Sequence, residues 1–320
     1  ISVPKSWNDI SEENDFSDSK NIKNSELKKF FENIADPITK LSGNDLPVSK
    51  FIEYADGKIP PGTAALEKRG TASFVPEWIP ENCIQCGICS LVCPHAVIRL
   101  KALNDNEIEN APENLKSKKM IGFPNLNFSI TISDKDCTGC ENCVAACPGM
   151  RGKKALSMVP VNYDSQKAFE YCENIPEKSE IFEKFKRETI KGSQFKKPLL
   201  EFSGACAGCG ETPYAKLTTQ LFGDRMVIAN ATGCSSIWGG SFPSTPYTIN
   251  SKGKGPAWQN SLFEDNAEFG YGIFLSQKIK RNKIIKIIDS IKNSTQNIEL
   301  KNICEKYLET KNNSTENYIF

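Results

Sequence analysis

Hydrophobic and polar positions change texture several times along the 320-residue chain. Residues 1–27 are polar, with runs such as Ser11-Glu12-Glu13-Asn14-Asp15, and read as a loop or the edge of another domain. Between 28 and 70 one apolar patch at helical spacing precedes Gly57-Lys58-Ile59-Pro60-Pro61-Gly62, which is connector chemistry. Lys101 to Ile130 reads as an insertion, with turns marked by Asn104-Asp105-Asn106 and Pro112. Phe128-Ser129-Ile130-Thr131-Ile132 alternates apolar and polar, which predicts a half-buried strand. Residues 161–198 are charged, and Ile181-Phe182-Glu183-Lys184-Phe185-Lys186 predicts one amphipathic helix that packs the cysteine-rich segment before it to the chain beyond residue 198. Thr212-Pro213 predicts a helix start, with threonine as N-cap and proline as first residue. Met226-Val227-Ile228-Ala229 predicts a short buried strand. Gly-, Ser- and Pro-rich loops fill 232–256. From Ile279 to Leu308 isoleucines recur at helical spacing, which predicts a helix with its apolar face packed on protein.

Bulk composition narrows the class. The length suits about two domains. Apolar residues make up 39% of the chain and mean hydropathy is −0.41, the balance of a soluble protein. Forty basic residues against 39 acidic give a net charge of +1, without the basic excess that nucleic-acid binding needs. No apolar run is long enough to span a bilayer. The first residue is Ile1 and no signal peptide is visible, although a targeting segment could precede it. Cysteines are clustered and odd in number, thirteen in all, which suits metal ligation in a reducing compartment. The expected location is cytoplasmic.

Eight of those cysteines form two near-identical runs. Cys83, Cys86, Cys89 and Cys93 are followed by Pro94; Cys137, Cys140, Cys143 and Cys147 are followed by Pro148. Both read C-x2-C-x2-C-x3-C-P, the bacterial ferredoxin run for [4Fe–4S] clusters, in which the fourth cysteine ligates the other cluster. One cluster is therefore expected on Cys83, Cys86, Cys89 and Cys147, and the second on Cys137, Cys140, Cys143 and Cys93. Two-residue gaps let three thiolates wrap three corners of one cube. A short helix then carries the fourth thiolate away, and the proline stops it. Zinc sites take two pairs of ligands, often with histidine, whereas His95 is the sole histidine here.

A third group is Cys206-Ala207-Gly208-Cys209-Gly210-Glu211-Thr212 with Ala231-Thr232-Gly233-Cys234-Ser235-Ser236. Alone, the C-x2-C could be a zinc half-site or a redox pair, and Cys234 a small buried hydrophobe. Together they offer three thiolates on glycine-rich loops near a strand end and a helix start, one short of a cubane site. Cys172 and Cys304 read as structural.

From about Gly43 to Tyr271 the chain resembles the pyruvate:ferredoxin (flavodoxin) oxidoreductases, single-chain thiamine diphosphate enzymes also called pyruvate synthases. The resemblance is carried, in family order, by Leu46-Pro47-Val48-Ser49, Glu67-Lys68-Arg69-Gly70, Val75-Pro76-Glu77-Trp78 and the first cysteine run. It continues through Cys206 to Tyr214, Asn230 to Gly240, Gly255-Pro256-Ala257-Trp258 and Asn260 to Gly270. It implies that Cys206, Cys209 and Cys234 are three ligands of a proximal [4Fe–4S] cluster, and that Glu211 and Cys234 lie against thiamine diphosphate. Departures from the family pattern matter too. The Gly-Asp-Gly segment and the later asparagine that hold Mg2+ and the diphosphate do not occur; Asp224 follows Gly223 but precedes Arg225. The fourth proximal cysteine and the amino-terminal domains are also missing, so the Mg2+ ligands are expected outside this chain.

The expected architecture is an α+β multidomain fragment. Residues 1–70 would be a connector and the edge of a preceding domain, and 71–160 a two-cluster ferredoxin-like domain. A linker over 161–198 would lead to 199–320, the first part of an α/β thiamine diphosphate-binding domain. The implied reaction is oxidative decarboxylation of pyruvate with coenzyme A to acetyl-CoA and CO2, with electrons leaving through the clusters to ferredoxin or flavodoxin. No catalytic residue is assigned within the chain, which is expected to be inactive by itself. The remainder of the same polypeptide and a second copy, as a homodimer, are the other expected partners, with no nucleic acid and no membrane. The alternatives are a stand-alone two-cluster electron carrier and a fusion that passes electrons to NADP.

Overall fold

The computed structural model describes residues 25–241 and 244–313. The first 24 residues of the polar stretch 1–27 lie outside the described residues. Two compact units emerge, one reaching to Ile228 and resuming over Thr232–Trp258, the other made of Ala229–Ala231 and the chain from Gln259 onward.

The first unit opens with helix α1 (Ser25–Phe30), which runs through a wider turn into α2 (Asp36–Thr39). Phe30, Phe31, Ile34 and Ala35 bury one face against Ile38, Tyr54 and Leu66, so the apolar patch forms a small core of its own. Strand β1 (Phe74–Trp78) comes next. The cysteine-bearing segment follows as helix α3 (Ile88–Val92), strand β2 (Ile98–Leu103), helix α4 (Asp105–Glu109) and strands β3 (Lys118–Lys119) and β4 (Asn127–Ile132). Helix α5 (Asn142–Ala146) and strand β5 (Leu156–Pro160) complete it. β1 pairs antiparallel with β5, Phe74 opposite Pro160 and Trp78 opposite Leu156, and so ties together the two ends of that segment. The antiparallel sheet β2–β4–β3 lies between.

Two expectations change here. Asn104 does not mark a turn but caps α4, accepting from Glu107 N–H while the Glu107 carboxylate accepts from Asn104 N–H. β4 is a strand, yet every one of its residues is buried rather than alternate ones. It is the middle strand, and helix α6 (Asp164–Glu173) packs on it. Its polar position Ser129 is satisfied by donating to the Lys116 carbonyl at 2.8 Å, so alternation did not mean a wet face. Phe128 sits at the centre, edge-on to Trp78 at 5.9 Å and to Phe195 at 6.2 Å.

Helix α7 (Ser179–Lys184) carries Ile181 into this same core, with Phe182 and Phe185 packed beside it. After α8 (Ile190–Ser193) comes α9 (Thr212–Phe222). α9 begins one residue earlier than expected: Glu211 is the cap position, Thr212 the first helical residue, and the buried Thr212 hydroxyl has no partner among the described residues. Strand β6 (Val227–Asn230) pairs with β7 (Ala257–Asn260), and helix α10 (Cys234–Ser236) with the turn Ile237–Ser241 lies between. Ala257 N–H donates to Met226 C=O and Ser261 N–H to Asn230 C=O; the constant offset makes the pair parallel. β6 is not buried as predicted: Val227 is 49% exposed and its other three residues are half-buried, in a sheet of two strands only. The loops of 232–256 likewise contain α10 and its following turn.

The second unit is chiefly helix α11 (Asn266–Ser294) and helix α12 (Ile298–Thr310), which pack on each other. Asn297 caps α12 by accepting from Leu300 N–H. Cys304 is buried, but Ile279, Ile284, Ile287 and Ile298 are exposed, so the helical spacing is real while its packing surface is not formed within the described residues. Among the described residues no helix is long and apolar enough to cross a membrane.

Candidate iron–sulfur centres

The two cysteine runs adopt one conformation twice. Counting from each first cysteine, the second and fourth following residues are left-handed: Gln85 and Gly87 in one run, Gly139 and Glu141 in the other. Left-handed residues reverse the chain, so the backbone circles inward and its N–H groups turn toward sulfur. Gln85 N–H donates to Cys83 Sγ and Gly139 N–H to Cys137 Sγ, both at 3.4 Å. The third cysteine of each run lies inside its helix, α3 or α5, and the fourth is the residue at which that helix ends. Gln85 is held in its unfavourable conformation by its own side chain, which donates to Lys119 C=O and accepts from Ile121 N–H, each at 2.9 Å.

α3 and α5 pack against each other, and the fourth cysteines cross over. One cavity is lined by Cys83, Cys86, Cys89 and Cys147 with Ile130 and Leu156. Its twin is lined by Cys137, Cys140, Cys143 and Cys93 with Pro76, Val97 and Met158. All thirteen cysteines are free. Among the described residues no three His, Cys, Asp or Glu side chains converge as a single ion requires. A cubane takes each thiolate on a different iron. Four sulfurs, apolar walls and backbone donors, including Ala155 N–H to Cys147 Sγ at 3.3 Å, fit a [4Fe–4S] cluster in each cavity. Burial pushes the Cys137 and Cys143 thiols up to about 12, so ligation there must displace protons.

The third cysteine group is placed differently. Cys206 and Cys234 are exposed and Cys209 is half-buried. Cys209 N–H donates to Cys206 C=O, closing the C-x2-C turn, and Gly208 within it is left-handed at φ 74°. That turn lies on the second run: a Cβ on Gly208 would stand 3.7 Å from Cys140 Cβ. His95, next to Pro94, secures the approach. Its Nε2–H donates to Ala205 C=O at 2.8 Å and its Nδ1 faces Thr138 Oγ1 at 3.4 Å, a tautomer fixed by the carbonyl partner. Burial lowers the pKa of His95, in keeping with a neutral ring. Glu211 accepts from Trp238 Nε1 at 3.4 Å, linking the Cys206–Cys209 loop to the segment after Cys234. Trp238, Leu200 and Tyr247 form the small core beneath.

Two buried lysines were given no role in the sequence reading: Lys68, named there only as part of a matching motif, and Lys216. Lys68 pairs with Asp136 at 2.8 Å just before Cys137 and lies over the Phe202 ring. Lys216 occupies the buried stripe of α9 and donates to the carbonyls of Ser90, Leu91 and Cys93. The stripe itself was the available signal, because Thr212, Lys216, Thr219 and Gln220 put polar residues where a helix normally buries apolar ones.

Known proteins share these features. Residues 82–150 match a family described as a 4Fe-4S dicluster domain, and residues 17–72 a domain of unknown function called EKR. Pyruvate:ferredoxin oxidoreductase of Moorella thermoacetica is 48% identical over 319 residues, 98% of this chain and 26% of that protein. Pyruvate-flavodoxin oxidoreductase of Klebsiella pneumoniae is 54% identical over 260 residues, 81% of the chain and 22% of that protein. A mitochondrial pyruvate dehydrogenase [NADP(+)] of Euglena gracilis is 49% identical over 259 residues, 80% of the chain and 14% of that protein. The chain thus spans about a quarter or less of the length of these relatives.

Proposed function

We infer that this chain, whose sequence groups with the pyruvate:ferredoxin and pyruvate-flavodoxin oxidoreductases, is the electron-exit segment of such an enzyme joined to the beginning of its thiamine site. The reaction is oxidative decarboxylation of pyruvate with coenzyme A, giving acetyl-CoA, CO2 and two electrons for ferredoxin or flavodoxin. Thiamine diphosphate, when bound, supplies the carbon chemistry, and each cluster accepts one electron at a time. Within the chain, Glu211 and Cys234 are the residues facing that cofactor. Cys206, Cys209 and Cys234 hold the cluster beside it. Cys137, Cys140, Cys143 and Cys93 hold the next, and Cys83, Cys86, Cys89 and Cys147 the outermost.

The observation that carries this order is the Gly208 turn resting on Cys140. It supports an entry to the paired centres at the Cys140 side. A stand-alone carrier would have no use for a third cysteine group packed there. The glycine has a reason as well: with its left-handed backbone and no side chain, the loop approaches the second run closely.

A chimera tests the reading. The matching quarter of the Moorella thermoacetica enzyme is replaced by this chain, and ferredoxin reduction is followed anaerobically with pyruvate and coenzyme A. Turnover dependent on both substrates is expected. A chimera that assembles, holds its iron and passes electrons from dithionite to ferredoxin but never from pyruvate would leave only an electron carrier.

A further inference from the structure

Lys216 is the most demanding side chain in the first unit. It is 1% exposed, and its Nζ donates to Ser90 C=O, to Leu91 C=O at 3.0 Å and to Cys93 C=O at 3.1 Å. These are carbonyls at the end of α3, where a helix terminus is short of intrahelical donors; Ser90 C=O accepts from Cys93 N–H as well. Three carbonyls satisfy three N–H bonds, but they do not neutralise an ammonium. Among the described residues Lys216 joins no ion pair, while neighbouring Arg99 has carboxylates of its own in Glu201, at 2.5 Å, and Glu173, at 3.6 Å. A buried charge without a counter-charge is costly and calls for a compensating anion. The candidates at hand are Cys89 within α3 and Cys93 at its end. Cys89 lines one cysteine cavity and Cys93 the other, so a single ammonium lies beside both sets.

We propose that Lys216 is a positioning and charge-setting residue for both clusters. Its ammonium balances the negative charge of the ligated thiolates, favours the reduced clusters, and clamps α9 onto the α3 turn. Reduction adds one electron to a cluster and so one negative charge. A fixed buried cation stabilises that state, because charges interact strongly where water is excluded. The clamp serves the same route, since α9 starts directly after the Cys206–Glu211 loop. The proposal rests on the eight cysteines being cluster ligands.

The experiment uses the full chain, reconstituted anaerobically, with cluster potentials read by EPR-monitored titration. Iron content is measured separately, and roughly eight irons in the unaltered chain tests the ligand reading by itself. Lys216→Gln keeps amide donors for the carbonyls but removes the charge; Lys216→Arg keeps the charge. With iron retained, Lys216→Gln should lower the one-electron equilibrium constant for cluster reduction about tenfold or more, a shift of ~59 mV to lower potential for each tenfold. Lys216→Arg should stay near the unaltered chain. Unchanged potentials in an iron-replete Lys216→Gln chain overturn the proposal. Should that variant lose iron, Lys216→Met gives the same reading with an apolar chain of similar length. Loss of iron in both, with Lys216→Arg intact, would show that holding the clusters requires the charge, as proposed; loss of iron in all three would make Lys216 a structural clamp alone and overturn the charge-setting role.

Discussion

At the scale of single residues, a few side chains do what a spacing rule cannot convey. Gln85 shares its left-handed backbone with Gly139 of the other run, yet it is not glycine. Its amide explains why, since it ties the first cysteine loop to Lys119 and Ile121 on the strand side of the sheet. Gln85→Leu keeps the volume and removes both part-buried bonds, a loss of about 0.5–1.5 kcal/mol for each. The expected outcome is a lower unfolding midpoint and preferential loss of iron from the centre of Cys83, Cys86, Cys89 and Cys147, checked by EPR. Equal loss from both centres would argue against a local role for this amide. The cysteines themselves were legible because ligand spacing is a local property of the chain. Lys216 was not, because its carbonyl partners lie more than 120 positions away. Nothing in the sequence near α9 names them.

Elements show the same division between local and distant causes. α3 and α5 were readable, each a short helix stopped at a Cys-Pro pair. β4 was readable as a strand but not as a buried one, since its burial comes from α6 and from the Lys116 carbonyl that satisfies Ser129. β6 went the other way, an apolar run left partly exposed in a sheet of two strands only. The turn after α10 shows what its glycines are for. A Cβ on Gly240 would come 2.4 Å from Trp258 Cη2, inside the ring's contact distance, and a stacked indole has little room to give. Gly240→Ala should therefore displace Trp258 and cost about 1–3 kcal/mol, as overpacking does. Indole fluorescence and a thermal melt check it; an unshifted Trp258 environment with unchanged stability would mean that the turn yields instead. Because Trp238 of this turn holds Glu211, the same variant is expected to loosen the third cysteine group.

For the whole molecule, the two cysteine runs work as one object, and that makes their wiring testable. Each cavity draws three sulfurs from one run and the fourth from the other. If each run bound its own cluster, a change at Cys147 would disturb the centre of Cys137, Cys140 and Cys143. With the crossed arrangement it must disturb the centre of Cys83, Cys86 and Cys89 instead. Cys147→Ser is thus expected to alter the same EPR component as Cys86→Ser, and a different one from Cys140→Ser. Iron content should fall toward about four per chain where the serine fails to hold its cluster. The double variant Cys86→Ser/Cys147→Ser should lose little more than either single change, because both act on one centre. Cys140→Ser/Cys147→Ser should lose both centres. Cys147→Ser sharing its component with Cys140→Ser would mean that the runs are independent. The Gly208 turn, which rests on Cys140, would then adjoin a centre made by the second run alone.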